Sequence, residues 1–309
     1  MKPKQPPAPT FQLLLHPERD NTYVHFEDAL HHPFDHAAIG FSRVNAWWLA
    51  DAALLAYWDE APARDIWRGA GLELTFLSVD GVQCHVASND AVVIVAFRGT
   101  EPQWDDLSDI VRVRPIRYSL GGRVHDGFFG AYETIRRPLQ KALGDLDARH
   151  RSIWLTGHSL GGALATLAMD DVPAARGLYT MGAPPVGSRR FAIGFNRRHR
   201  GRCFRYVNDR DIVAGLPRLL LLLLGRYTHV RERKFIDRQG RISGRSRPVD
   251  EWFAALRRHR VRLAPVTDDD AAGLVPPPEP LADHIARSYA VHIWNDYATA
   301  RSPVPSAGV

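Results

Sequence analysis

The chain has 309 residues, 45% of them hydrophobic and 24% charged, with a net charge of +6 and a pI near 9.5. That composition excludes a disordered, collagenous or disulfide-stapled chain, and the length is enough to bury one large core. No apolar run approaches the roughly 18 residues of a membrane-crossing helix.

The N-terminal stretch MKPKQPPAPTFQLLLHPERD starts basic, but its short apolar run ends at His16 and Pro17. That is not a signal peptide, so a cytoplasmic protein is expected, with leaderless export as the other route. Residues 1–10 are Pro-rich and read as a disordered tail. Residues 42–60, SRVNAWWLADAALLAYWDE, read as a helix capped by Ser42. LELTFLSV (72–79) and VQCHVAS (82–88) flank Asp80 and Gly81 as a hairpin. AVVIVAF (91–97) is a β-branched run of the kind buried in a parallel sheet. Residues 128–150 are amphipathic and helical, with Pro138 as a kink or break. SIWLT (152–156) is a second buried strand, followed by the turn GHSLGG and a helix over LGGALATLAMDD. Strands at 177–182 and 203–208 enclose a helix at 188–199, and a last helix covers 284–300. Strands alternating with helices predict an α/β fold with a mainly parallel sheet and helices on both faces. Two stretches, 101–123 and 239–283, are irregular. Residues 11–300 are expected to form a single domain, with 301–309 as a C-terminal tail.

Several function classes drop out. The arginines are scattered and no nucleic-acid motif is present, so nucleic acid is not expected as a partner. A solvated basic surface comes first, and peripheral contact with an anionic membrane surface second. Cys84 and Cys203 form neither a metal motif nor a disulfide framework. No His, Cys or carboxylate cluster has metal-ligand spacing, so no metal or cofactor is expected.

The stretch with most chemical content is GHSLGG. G-x-S-x-G after a strand and before a helix is the nucleophile elbow, a strained turn that displays a serine above the sheet. Gly157 and Gly161 leave the space that strand and helix need, His158 packs, and Ser159 is the candidate nucleophile. The helix opening at Leu160 aims N–H groups at a reacting oxygen. A serine needs a base and an orienting carboxylate, in the chain order Ser, acid, His. RYVNDRDIVAGLP supplies Asp209 and Asp211 as competing acids. His229, His259, His284 and His292 are the candidate bases; His284 opens a helix after a long loop, from which a base can reach the serine.

These motifs, in this order, resemble the class 3 lipases, α/β-hydrolases that include fungal, bacterial and plant members, and the chain looks like a bacterial-type one. The resemblance runs from about residue 42 to 297. It rests on VNAWWLADAALLAY, VVIVAFRGTEPQWDDLSDI, VHDGFFGAY, GHSLGGALATLA, MGAPPVGSRRFAIGFN, RYVNDRDIVAGLP, YTHV and DHIARSY. It implies Asp211 as the acid and His284 as the base, with an oxyanion hole formed by Thr100 in FRGT and the N–H of Leu160. It also implies a lid over the site, for which 101–123 is the candidate. Trp104, Asp105 and Asp109 would brace that loop, and His125 would be structural. Two features depart from the family pattern. Ala214 stands where a proline usually follows D-I-V, and LPRLLLLLLGRY is unusually apolar, reading as a buried helix or an apolar rim. Residues 249–263 read as a core-packed helix or a basic amphipathic one. The expectation is a lipid-ester hydrolase like a triacylglycerol lipase. Phospholipase A1 or monoacylglycerol lipase would use the same residues, a polyester or feruloyl-ester hydrolase is a further enzyme reading, and a non-catalytic lipase-like binding module is the remote alternative.

Overall fold

The computed structural model describes residues 2–99, 115–211, 213–214, 227–244 and 276–301. Strand β3 (Val92–Phe97) explains where its sheet must lie. All six side chains are buried; Val92, Ile94 and Ala96 join one core, and Val93, Val95 and Phe97 join another. Successive side chains of a strand point to opposite faces, so an unbroken apolar run needs cover on both. Each such side chain is worth about 1.5–3 kcal/mol when fully buried.

The sheet has eight strands among the described residues. Strands β1 (Glu73–Val79) and β2 (Val82–Ser88) form a hairpin that continues antiparallel into β3. Its turn residues, Asp80 and Gly81, both have positive φ, the conformation that matches strand twist. From β3 the order is β6 (Ser152–His158), β7 (Ala175–Met181), β8 (Cys203–Asn208) and β9 (Arg233–Ile236), all parallel, ending in antiparallel β10 (Ile242–Ser243). A separate ribbon pairs β4 (Pro115–Arg117) with β5 (Arg123–His125).

The N-terminal region contributes the short helix α1 (Phe11–Leu15). On one face of the sheet lie α2 (Arg43–Leu55), α3 (Glu60–Gly69) and, after the short α7 (Glu279–Ala282), α8 (Ala286–Arg301). On the other lie α4 (Asp126–Asp145), α5 (Leu160–Asp171) and α6 (Arg189–Arg198). Every residue of α2 from Asn45 onward is buried, and Trp47 packs between Trp294 and Tyr297 of α8. The two buried polar groups of α2 have partners. Asn45 exchanges hydrogen bonds of 2.8 Å with the backbone of Asp35, and Asp51 accepts from the Tyr23 hydroxyl, the Phe26 N–H and the Trp47 indole. Because β3, β6, β7 and β8 run parallel, their carboxyl ends share one edge. The segments leaving that edge begin near Gly99, Ser159, Gly182 and Asp211.

Several expectations are met closely: Ser42 accepts from the Asn45 N–H and caps α2, and β1, β2, β3, β6 and β8 fall where their sequences placed them. Others differ. Helix α4 does not end at Pro138. The carbonyl deprived of its donor is that of Thr134, and both residues are partly exposed, so water can serve it. Tyr227 to Val230 makes only an isolated bridge, between Thr228 and Gly187. Residues 2–10, read as a free tail, are tied to α8: the Asn295 amide brackets the Lys4 backbone at 2.7 and 2.9 Å, and the Trp294 indole donates to Lys2 O. The last part of the 101–123 segment is the β4–β5 ribbon. Residues 100–114, the leucine run at 219–224, the 249–263 stretch and 302–309 lie outside the described residues. Cys84 and Cys203 are buried and unbridged. No helix among the described residues is long and apolar enough to cross a membrane.

His85 on β2 carries a measurable consequence. It is fully buried, donates Nε2–H to Trp58 O and accepts the Trp67 indole N–H, each at 3.2 Å. Burial lowers its pKa from the ordinary 6.5 to about 4. Between those values the unfolded chain binds a proton and the folded chain does not. The His85 contribution to stability is complete above pH 6.5 and declines as pH falls towards 4. Asp51 offsets part of this, because burial raises its carboxyl to about 6 and its contribution is lost as pH rises. Denaturant unfolding at pH 7.5 and 4.5 should therefore show the His85→Gln variant losing about 2–3 kcal/mol less than the parent chain. Equal losses would refute the assignment.

Candidate active site

The turn from β6 into α5 holds Ser159 at φ +55° and ψ −128°, a backbone region costing a non-glycine residue on the order of 1–3 kcal/mol. The glycines around it are required by space. A Cβ on Gly157 would lie 2.3 Å from the Gly161 carbonyl carbon, and one on Gly161 would lie 2.1 Å from Phe97 O. Strand β3, the turn and the first turn of α5 are thus in backbone contact. The Ser159 N–H donates to Met181 O at 3.0 Å, which ties the turn to β7.

Two long-range segments converge on the serine. His284, between α7 and α8, lies with Nε2 2.9 Å from Ser159 Oγ. Its Nδ1 is 3.0 and 2.9 Å from the two carboxylate oxygens of Asp211, in the segment after β8. A carboxylate only accepts, so Nδ1 carries the proton and Nε2 is free to accept from the serine hydroxyl. Asp211 is 2% exposed and receives three further hydrogen bonds. The Val213 and Ala214 N–H groups donate to Oδ1 at 2.8 and 3.1 Å, and the Tyr289 hydroxyl donates to Oδ2 at 2.5 Å. These donors offset the cost of burying the charge. Burial and the Asp211 charge together push the Tyr289 phenol well above its ordinary pKa, so it remains a donor.

The same loops are clamped to each other. The Asn208 amide donates to Asp283 O at 3.1 Å, the Arg210 N–H donates to the Asp283 carboxylate at 2.9 Å, and Arg210 pairs with Glu279. His158, beside Ser159 in sequence, points away from it. Its Nε2 donates to His284 O at 2.8 Å and its Nδ1 accepts from the Tyr57 hydroxyl at 2.8 Å. Burial drives its pKa well below the ordinary value, so it is neutral and holds the main chain of His284 rather than a proton in transit.

Of the remaining candidates, Asp209 faces Arg238 at 3.1 Å, away from the imidazole. His229 donates to Ala214 O at 2.8 Å, bracing the loop that carries Asp211. His292 packs on the turn at Gly240, where an added Cβ would meet its ring. His125 caps α4 by accepting from the Phe128 N–H at 3.3 Å. Leu160 opens α5, so its N–H has no carbonyl one turn back within the helix. Thr100, Trp104, Asp105, Asp109 and His259 lie outside the described residues. Gly99, next to Thr100, fits beside Tyr57 and His158 O with no room for a Cβ. Among the described residues no group of three or more His, Cys, Asp or Glu side chains could hold a metal ion.

Three contributors went unassigned in the sequence reading: Tyr57, Tyr289 and Gly182. Tyr289 stood inside DHIARSY, five residues after His284, without a role attached. Gly182 has φ +59°, and a Cβ there would lie 2.7 Å from Asp211 Oδ2 and 3.1 Å from the His284 ring. It forms the floor beneath the His–Asp pair.

Residues 94–220 match the family described as lipase (class 3). A lipase of Rhizomucor miehei is 33% identical over 144 residues, which is 42% of this chain and 38% of the relative. A secreted mono- and diacylglycerol lipase A of Penicillium cyclopium is 31% identical over 153 residues, 47% of this chain and 48% of the relative. The matched region thus spans less than half the length of these curated relatives. The solved structure of the native Rhizomucor miehei lipase propeptide complex aligns with a TM-score of 0.52 at 25% identity, covering 64% of this chain and 68% of that one.

The geometry beneath the His–Asp pair makes two substitutions informative. Tyr289→Phe leaves Asp211 short of one donor and the Asn208 N–H without its 2.9 Å acceptor. Denaturant unfolding should show a loss of about 1–3 kcal/mol. Gly182→Ala forces a Cβ into the Asp211 carboxylate, and its imidazole resonances should shift, whereas Gly130→Ala, with open space at its Cβ, should leave them unchanged.

Proposed function

The chain belongs to the class 3 lipase family and is related to the fungal lipases, and from that premise we propose that it hydrolyses carboxylic esters of lipids with Ser159 as nucleophile, in the manner of a triacylglycerol lipase. The observation that carries this reading is the unbroken line from Ser159 Oγ through the His284 imidazole to the buried Asp211 carboxylate, each step at 2.9–3.0 Å.

His284 Nε2 takes the serine proton as Oγ bonds to the ester carbonyl carbon. The carbonyl electron pair moves to oxygen, giving a tetrahedral oxyanion. The Leu160 N–H, at the positive end of α5, stabilises that oxyanion together with Thr100. The intermediate collapses, the C–O bond to the alcohol breaks, and the alcohol leaves with the proton from His284. Water, deprotonated by the same imidazole, attacks the acyl-enzyme, releasing the fatty acid and returning Ser159 to its hydroxyl form. Asp211 keeps the imidazole in the Nδ1–H tautomer and stabilises its cation in both halves. Each of its other donors fixes the carboxylate so that it does not turn away when the imidazole becomes charged. No step requires a metal or cofactor.

Hydrolysis of a soluble p-nitrophenyl butyrate tests the chemistry. Ser159→Ala and His284→Ala should each lower kcat by at least about 10⁴, and Asp211→Asn by about 10⁴. Asp209→Asn should leave the rate within a few-fold. Retained turnover in Ser159→Ala would overturn the mechanism, and no turnover in the parent chain would favour a non-catalytic lipid-binding role. Rates on emulsified triacylglycerol, monoacylglycerol and phospholipid then rank the substrate classes; triacylglycerol is expected to be the fastest.

A further inference from the structure

A second feature begins at the sheet edge that carries Ser159. It is a cleft of about 990 Å³ between the β4–β5 ribbon, the start of α6, and Tyr227 with Thr228. Helix α6 opens directly after the segment that leaves β7 at Gly182, so this wall starts at the candidate active edge. Four arginines line the cleft: Arg117 and Arg123 from the ribbon, Arg189 and Arg190 from α6. All four are exposed. Among the described residues none of their guanidinium groups has an ion-pair or hydrogen-bond partner, and no carboxylate lines the cleft.

Several arginines elsewhere in the chain are paired with carboxylates. Arg136 meets Asp171 at 2.6 Å, Arg198 meets Asp170 at 2.9 Å, and Arg287 meets Asp20 at 2.5 Å. Even Asp170, which acts on the cleft residue Tyr118, is already taken by Arg198 and His199. Four cations around one cleft, with no carboxylate partner among the described residues, therefore concentrate positive potential beside the candidate active edge, in a chain whose net excess is only +6.

We propose that this arginine cleft docks the protein on the phosphate headgroups of an anionic lipid layer, turning the edge that carries Ser159 towards that layer. The proposal rests on the lipid-ester reading for its purpose, but its binding test is independent of it. Guanidinium planes match phosphate oxygens two at a time, and they shed water more readily than ammonium groups. The arginines are exposed on both sides of an open cleft rather than gathered in an enclosed pocket, which suits an array of headgroups. The Ser188 and Thr228 residues in the lining add hydroxyl donors between the cations.

The test is co-flotation of the full chain with phosphatidylcholine vesicles, with and without phosphatidylglycerol. The parent chain should partition onto the anionic vesicles far more than onto the neutral ones, and the excess should fall as salt is raised. The R117Q/R123Q/R189Q/R190Q variant should lose that excess by on the order of a hundredfold, and R189Q/R190Q by about tenfold. R137Q/R149Q/R197Q/R200Q removes four exposed arginines elsewhere and should retain most of it. Equal losses in the two fourfold variants would reduce the effect to bulk charge and overturn the proposal, as would equal binding to neutral vesicles. Displacement by inorganic phosphate at constant ionic strength would mark a site for a free anion instead, also against docking. All variants should hydrolyse p-nitrophenyl butyrate at the parent rate. If no form of the protein hydrolyses it, the hydrolase reading fails while the vesicle comparison still stands.

Discussion

Ser159 can keep its strained backbone only because β3, β6 and α5 meet there with nothing but backbone between them. Gly157 and Gly161 are the residues at the contact, and a Cβ added to either would lie within 2.5 Å of a neighbouring backbone atom. The strain is local, whereas the packing that maintains it is distributed. Helix α5 is buried from Gly161 to Met169, and β3 and β6 are buried along their whole lengths. Tightening one turn therefore costs little compared with unpacking the elements on either side of it. The serine's position is a property of the whole sheet.

The rest of the site is an exercise in burying charge. Asp211 sits almost without solvent, and it is tolerable there because its carboxylate meets an imidazole N–H, two backbone N–H groups and a phenol. The donors come from two parts of the chain, the loop after β8 and the segment from His284 to Tyr289, so the carboxylate fastens the β8 loop to α8. A neutral His158 supports the imidazole from behind, through its main chain. With His158 uncharged, a cation forming on His284 has no charged neighbour on that side, and the ring centroids are only 4.5 Å apart.

Legibility in the sequence follows the range of the interaction. The hairpin at Asp80 and Gly81, the Ser42 cap and the elbow were readable because turn chemistry and alternation are local. Strand β9, RKFI, was not: its pattern carries little apolar signal, and its place depends on pairing with β8. The candidate acid and base were narrower cases. Residue patterns left Asp209 against Asp211 and four histidines open, and only the family resemblance chose between them. The distinction is physical but non-local: Asp209 faces Arg238 beyond β9, whereas Asp211 faces back over the sheet. Tyr57 and Gly182 escaped notice for the same reason, since what they do depends on a partner 101 residues away in Tyr57's case and on an approach between loops in Gly182's. The arginine cleft was visible only as net charge, because composition cannot say which cations share a wall.

The two thiols offer something unrelated to chemistry at the edge. Cys84 on β2 and Cys203 on β8 lie on opposite sides of the central strands, at 0% and 3% exposure, and burial pushes Cys203 up to about 12. Neither can meet an alkylating reagent until its part of the sheet opens. Their labelling rates are therefore two independent clocks, one for each flank, and their ratio would reveal whether the molecule breathes from the hairpin side, from the parallel side, or only all at once.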